Sequence, residues 1–174
     1  AGSPRRPTGI CVLTRMTART RVVFSDEEVL DVVREARPAL VPIDAPLSLP
    51  PGRKSIQDRN GEHYRPCDLE LRRRGIRFFP ITLGPMRALT ERGLRLRAGI
   101  EEMGFRAVEC FPGAAQDVWE IPRKQHDLEG LRSGLARLKV KGLTPEMTHD
   151  ELDAVTGALT GRWFLLGRGE MLGG

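Results

Sequence analysis

At 174 residues, 40% of them hydrophobic and 29% charged, the chain has the length and make-up of one globular domain over residues 1–174. No apolar run approaches the roughly 20 residues that cross a bilayer, which excludes a membrane-spanning helix, and no apolar segment follows Arg5 and Arg6 as a secretory signal would require. Net charge is +5, carried mainly by Arg, and favours polyanionic partners such as nucleic acid, although an abundance of Arg equally fits genome composition or a heat-adapted surface. The odd set Cys11, Cys67 and Cys110 lacks paired metal spacing, so a disulfide scaffold is excluded and a reducing, cytoplasmic setting is expected.

Gly9 to Leu13 and Arg21 to Phe24 are β-prone runs separated by the polar stretch 14–20, which predicts an antiparallel hairpin. Ser25 and Glu28 form a capping-box pair, and Val29, Leu30, Val33 and Ala36 give a helical stripe that Pro38 stops. Ala39 to Ala45 then reads as a short buried strand with Asp44 at its C-terminal end, the place where α/β sheets put their sites. Residues 47–80 form an irregular excursion containing Pro50, Pro51, Gly52, Asn60 and Gly61, followed by the basic stretch Leu69 to Arg77. An excursion of that length inside a compact domain is more often functional than accidental. Met86 to Met103 is a predicted helix closed by Gly104, and Phe105 to Phe111 a predicted buried strand that holds Glu109. Ala114 to Glu120 and Asp127 to Leu138 are predicted helices parted by Pro122. Thr148, with Glu151 three residues on, starts a last helix running to about Leu166.

Stepping about 100° per residue around that last helix puts Leu152, Val155, Leu159, Trp163 and Leu166 on one side. Asp150, Asp153, Ala154, Gly157 and Gly161 gather on the other. Two carboxylates one turn apart therefore share a face with small residues, and glycine at two of these positions costs about 1 kcal/mol each relative to Ala. Small residues permit close approach of another group. Carboxylates are hard oxygen donors, and several of them together suit Mg²⁺ or Mn²⁺. Asp44 and Glu109, each in an apolar strand, are the natural companions of the helix pair, because burying a lone carboxylate is costly without a compensating cation. Asp44, Glu109, Asp150 and Asp153 are accordingly the expected metal-binding and catalytic set.

The segments Val41-Pro42-Ile43-Asp44-Ala45-Pro46, Arg65-Pro66-Cys67-Asp68, Leu71-Arg72-Arg73-Arg74-Gly75-Ile76, Val108-Glu109-Cys110-Phe111-Pro112-Gly113-Ala114 and Asp150-Glu151-Leu152-Asp153-Ala154 resemble an uncharacterised prokaryotic family of predicted ribonuclease-H-like nucleases, a DUF429-like domain of unknown function. The resemblance covers nearly the whole chain. It implies an α/β fold with a ribonuclease-H-like mixed sheet, an opening antiparallel hairpin and flanking helices. The closing Asp-x-x-Asp-Ala helix is similar to that of Holliday-junction resolvases. The implied activity is metal-dependent cleavage of nucleic acid or another phosphodiester, with Asp44, Glu109, Asp150 and Asp153 as its acidic residues. Proteins of this fold carry a first metal-ligating Asp on a central first strand; the resemblance therefore implies a strand and an acidic residue ahead of Ala1, an expectation that an intact mass of 19.4 kDa would refute.

Each residue also has a plainer reading. Asp150 and Asp153 suit a solvated first helical turn favoured by the helix dipole, Asp44 suits a turn cap before Pro46, and Glu109 suits a buried pair with an Arg. Arg65, Arg72 and Arg73 are the expected substrate-phosphate contacts, since the guanidinium fork matches phosphate oxygens; a solvated helix face is the alternative. His149 beside Asp150 is a candidate proton carrier or a helix-start residue. His63 and Cys67 lie four apart without a second ligand pair, so a zinc site is not expected. A non-catalytic nucleic-acid-binding or partner-binding domain with a degenerate site is the rival to the nuclease. A nucleotide hydrolase or phosphotransferase lacks support, because no glycine-rich phosphate loop occurs.

Overall fold

The computed structural model describes residues 7–173. Strands β1 (Thr8–Thr14) and β2 (Thr17–Val23) form an antiparallel hairpin. Helix α1 (Asp26–Ala36) leads to β3 (Val41–Ile43), and the excursion that follows contains helix α2 (Pro66–Arg73). Helix α3 (Gly84–Glu102) leads to β4 (Ala107–Glu109), and three helices close the chain: α4 (Pro112–Val118), α5 (Leu128–Arg137) and α6 (His149–Leu165). β3 and β4 pair in parallel, joined through α2 and α3. The protein is thus α/β, with a small antiparallel hairpin, a parallel pair and flanking helices. No helix among the described residues is long and apolar enough to cross a membrane.

Local chemistry accounts for most boundaries. At α1 the Ser25 hydroxyl accepts from the Glu28 amide at 3.1 Å while the Ser25 amide donates to the Glu28 carboxylate at 3.1 Å, so the capping box is complete. Thr148 and Glu151 build the same device at α6. β2 starts four residues earlier than the apolar run suggests: the pairing Thr14↔Thr17 leaves only Arg15 and Met16 to turn the chain, with Arg15 at φ 58°. Its polar residues alternate with the buried Ala18, so Thr17–Thr20 belongs to the strand rather than to a connector.

The expected two-sidedness of α6 holds. Leu152, Val155 and Leu159 are fully buried in a core with Leu131 and Leu135 of α5, Ile121 and Val140. Trp163 joins its edge through Trp119, ring centroids 4.8 Å apart. Leu166, one residue beyond the helix, is exposed instead. On the opposite face a Cβ on Gly161 would stand 2.4 Å from Pro42 Cγ, so β3 crosses the helix where only glycine fits. A Cβ on Gly9 would likewise stand 2.2 Å from the Asp150 carbonyl oxygen, which seats the start of β1 on the first turn of α6. A second core, of Val33, Ile100 and Ala107 with Leu30, Val41 and Ile43, lies under α1 and α3. Two unlinked clusters are unusual where one contiguous core is the rule.

Candidate functional site

The end of β3 delivers Asp44 toward the first two turns of α6. Asp44 is solvent-exposed through a cavity of about 480 Å³, whose walls crowd around the carboxyl. Burial, reinforced by the negative charge of Asp153 and opposed by Lys124, pushes its pKa up to about 7. Asp150 contributes to the same field. Asp44 thus lies within electrostatic range of both helix acids, whereas the sequence reading groups all four of Asp44, Glu109, Asp150 and Asp153.

Between the two helix acids sits a cation that the sequence reading does not single out. Lys124 Nζ is 2.7 Å from Asp153 Oδ2 and 3.3 Å from Asp150 Oδ1. Burial works against its charge, but the hydrogen bond and charge of Asp153, with Asp150 behind them, prevail and raise its pKa. Gln116 of α4, fully buried, donates from Nε2 to Asp153 Oδ1 at 2.9 Å and to Thr156 Oγ1 at 3.2 Å. Asp153 is thus held from two sides, and Asp150 also accepts from His149 Nδ1 at 3.0 Å if that nitrogen is protonated. No sequence pattern marks Lys124, which lies in the connection between α4 and α5; only its neighbour Pro122 signals a turn there.

Glu109 does not share this arrangement. Its carboxylate takes a two-point grip from Arg65, Nη1 to Oε2 at 2.6 Å and Nη2 to Oε1 at 2.8 Å, and accepts from the Leu47 amide at 2.7 Å. Arg65 also bonds both oxygens of Asp68, at 3.0 and 2.8 Å. The Arg65 and Asp68 side chains are 4% and 2% exposed. The expectation that Arg65 contacts substrate is corrected accordingly: its guanidinium is engaged inside the protein, and Glu109 is its structural partner. The carbonyls of Ile56, Asp58 and Glu62 accept from the similarly buried Arg53. The excursion 47–80 is therefore folded around two interior arginines. Arg72 and Arg73 do remain on the surface, Arg72 over the Tyr64 ring at 5.8 Å and Arg73 paired with Glu70 at 2.7 Å.

Among the described residues no three His, Cys, Asp or Glu side chains are arranged to hold a metal ion as they stand. His63 turns to Thr82, 2.8 Å away, and not to Cys67. Burial pushes the Cys11 and Cys110 thiols up to about 12 and Cys67 up to about 11, so all three are unreactive near neutral pH.

Fold and site together define an α/β protein with an acidic, cation-bearing pocket where a strand end meets the start of its closing helix. The chain belongs to the family described as "Protein of unknown function (DUF429)", whose model matches residues 4–174. No curated protein and no solved structure matches it.

Proposed function

We propose that this protein is a ribonuclease-H-like, divalent-cation-dependent phosphodiesterase whose acidic residues are Asp44, Asp150 and Asp153. The observation that carries the reading is the convergence of a strand-end carboxylate, with a pKa near neutrality, on two helix carboxylates that already hold a cationic group. An opening hairpin, then parallel strands linked by helices, with acids at the strand end and on the closing helix, supports the fold assignment. Mg²⁺ or Mn²⁺ suits this all-carboxylate donor set in chemistry. It would be held by Asp44, Asp150 and Asp153 in place of the Lys124 ammonium; Glu109 acts through the Ala45–Leu47 turn, which its bond to the Leu47 amide fixes. Such an ion, when bound, lowers the pKa of water and stabilises a leaving oxygen. Gln116 orients Asp153, exposed His149 carries protons beside Asp150, and Arg72 and Arg73 meet the backbone of a nucleic acid or other phosphodiester.

A second reading has its own observation. Lys124 neutralises the helix acids internally, which is what a non-catalytic nucleic-acid-binding domain with a degenerate site would need. Calorimetric titration with Mn²⁺, run beside cleavage of single- and double-stranded DNA and RNA, separates the two. The phosphodiesterase reading expects Mn²⁺ binding that Asp44→Asn and Asp153→Asn each weaken, with cleavage abolished by chelator. Absence of Mn²⁺ binding, together with salt-sensitive but chelator-indifferent nucleic-acid binding, overturns it in favour of the second.

A further inference from the structure

Two stretches of the sequence hold no Asp or Glu, residues 8–25 and 130–145, and they carry seven cations: Arg15, Arg19 and Arg21, then Arg132, Arg137, Lys139 and Lys141. The fold brings them together. Thr17 of β2 and Lys141 form a parallel bridge, in which the Ala18 amide donates to the Lys141 carbonyl at 2.9 Å and the Lys141 amide to the Met16 carbonyl at 2.8 Å. Gly142 is seated so closely that an added Cβ would stand 2.4 Å from the Ala18 carbonyl oxygen. The turn between β1 and β2 and the connection from α5 to α6 therefore make one corner of the molecule, where Lys141 shares a sheet face with Thr17 and, two residues on, Arg19.

Two of the seven are neutralised, Arg21 by Glu35 and Arg132 by Glu129. Arg15, Arg19, Arg137, Lys139 and Lys141 are exposed, and among the described residues none of them joins an ion pair. Five unit charges equal the net charge of the whole chain, +5, so the basic excess is gathered here and the remainder is balanced. Backbone geometry adds an independent sign. Arg15 and Lys139 stand at φ 58° and 69°, in the left-handed region where glycine or asparagine is at ease and a long side chain is not. Of the large apolar side chains that the described residues expose, only Phe24 falls in these stretches, and it lies at the opposite end of β2.

We infer that this corner is a second, polyanion-binding surface, which grips the phosphate backbone of double-stranded nucleic acid through Arg15, Arg19, Arg137, Lys139 and Lys141 without reading base sequence. A protein partner would bury an apolar centre, and a membrane surface takes apolar side chains into its headgroup layer; the corner offers neither. Neutralisation of phosphates with release of their counterions needs only exposed cations. No aromatic ring stands there to stack an unpaired base, which favours a duplex over a single strand. β1 spans about 17 Å from Gly9, seated on the first turn of α6, to Thr14 at the corner, which is about half a turn of duplex. The inference goes beyond the catalytic proposal, because binding at this corner needs neither metal nor cleavage.

The test measures fluorescence anisotropy of a labelled mixed-sequence DNA duplex, about 20 base pairs long, with the full chain in EDTA from about 50 to about 200 mM KCl. Two double variants probe the corner: Arg15→Asn with Lys139→Asn, which suits the left-handed backbone and keeps the fold, and Arg19→Gln with Lys141→Gln. Each is expected to lower the log–log salt slope by about two and the affinity by about ten-fold or more, with the thermal melt of the asparagine pair unchanged. Arg95→Gln with Arg168→Gln removes the same charge from exposed sites elsewhere and is expected to leave the slope as it was. Equal losses in all three would show that net charge alone binds and would overturn the inference, as would no loss at the corner or no duplex binding. Corner-dependent capture by phosphatidylserine vesicles in place of the duplex would overturn the assignment to nucleic acid. Failure of the catalytic proposal shows instead as absent Mn²⁺ binding, which this chelated assay does not read.

Discussion

The Arg65 network lets the structure be tested through stability. Replacing Arg65 by Ala removes two bonds to Asp68, two to Glu109 and one to Ser48 at 3.3 Å. Asp68, whose side chain is 2% exposed, then keeps the amide of residue 65, 2.9 Å away, and the weak Cys67 thiol donor at 3.9 Å for its charge. Removing one partner of a buried pair leaves an uncompensated charge, at a cost of about 3–5 kcal/mol. At about 2–4 °C per kcal/mol for a chain of this size, the melting temperature should fall by about 6–20 °C. Glu109→Gln should cost less, about 1.5–3 kcal/mol, because that carboxylate is 30% exposed and the Leu47 amide still finds an oxygen. Arg65→Lys keeps the charge but lacks the planar fork, so it should fall between the two. Urea denaturation of the three variants measures the order. A loss below about 1 kcal/mol for Arg65→Ala would refute the claim that this arginine holds the excursion to β4.

Other perturbations read other contacts. Gly161→Ala should destabilise by about 1–3 kcal/mol despite alanine's better helix propensity, because its Cβ would meet Pro42 at 2.4 Å; a neutral or stabilising result in thermal melts would place β3 elsewhere. Ser25→Ala should cost about 1 kcal/mol through loss of the α1 cap, measured the same way. Asp44 has a folded pKa of about 7 against an ordinary value of 3.8, so between those values the folded state binds more protons than the unfolded one. Its contribution to stability therefore declines as pH rises from about 4 to about 7 and is level above that, by an amount that water in the cavity keeps small. Asp44→Asn should flatten that part of the stability-versus-pH curve. Lys124→Met leaves three carboxylates without their shared cation, so it should lower stability at pH 7.5 more than at pH 5, and millimolar Mg²⁺ should restore part of the loss if the acids accept a metal.

What the sequence discloses and what it conceals follow from the range of the forces involved. Ser25 with Glu28 and Thr148 with Glu151 announce their helices because capping is settled within four residues, and Leu152, Val155 and Leu159 announce a buried face because helical geometry is periodic. The small-residue face of α6 is also legible, but its cause is divided: Gly161 makes room for Pro42, whereas Ala154 and Gly157 border the cavity. Asp44, Asp150 and Asp153 could be grouped because strand ends and helix faces have predictable directions. Glu109 occupies an equivalent strand end and yet belongs to Arg65, which is 44 residues away in the chain and carries no local mark of burial. Lys124 is hidden for the same reason, since a lysine in a connecting loop is ordinarily solvated and only the tertiary fold brings it to two aspartates. The gap between β1 and β3 is the least legible feature, because each strand satisfies its own alternation and hairpin chemistry. The apolar residues of β1 thus specify that the strand is covered on both faces, while only the assembled fold shows that, among the described residues, a cavity separates it from β3.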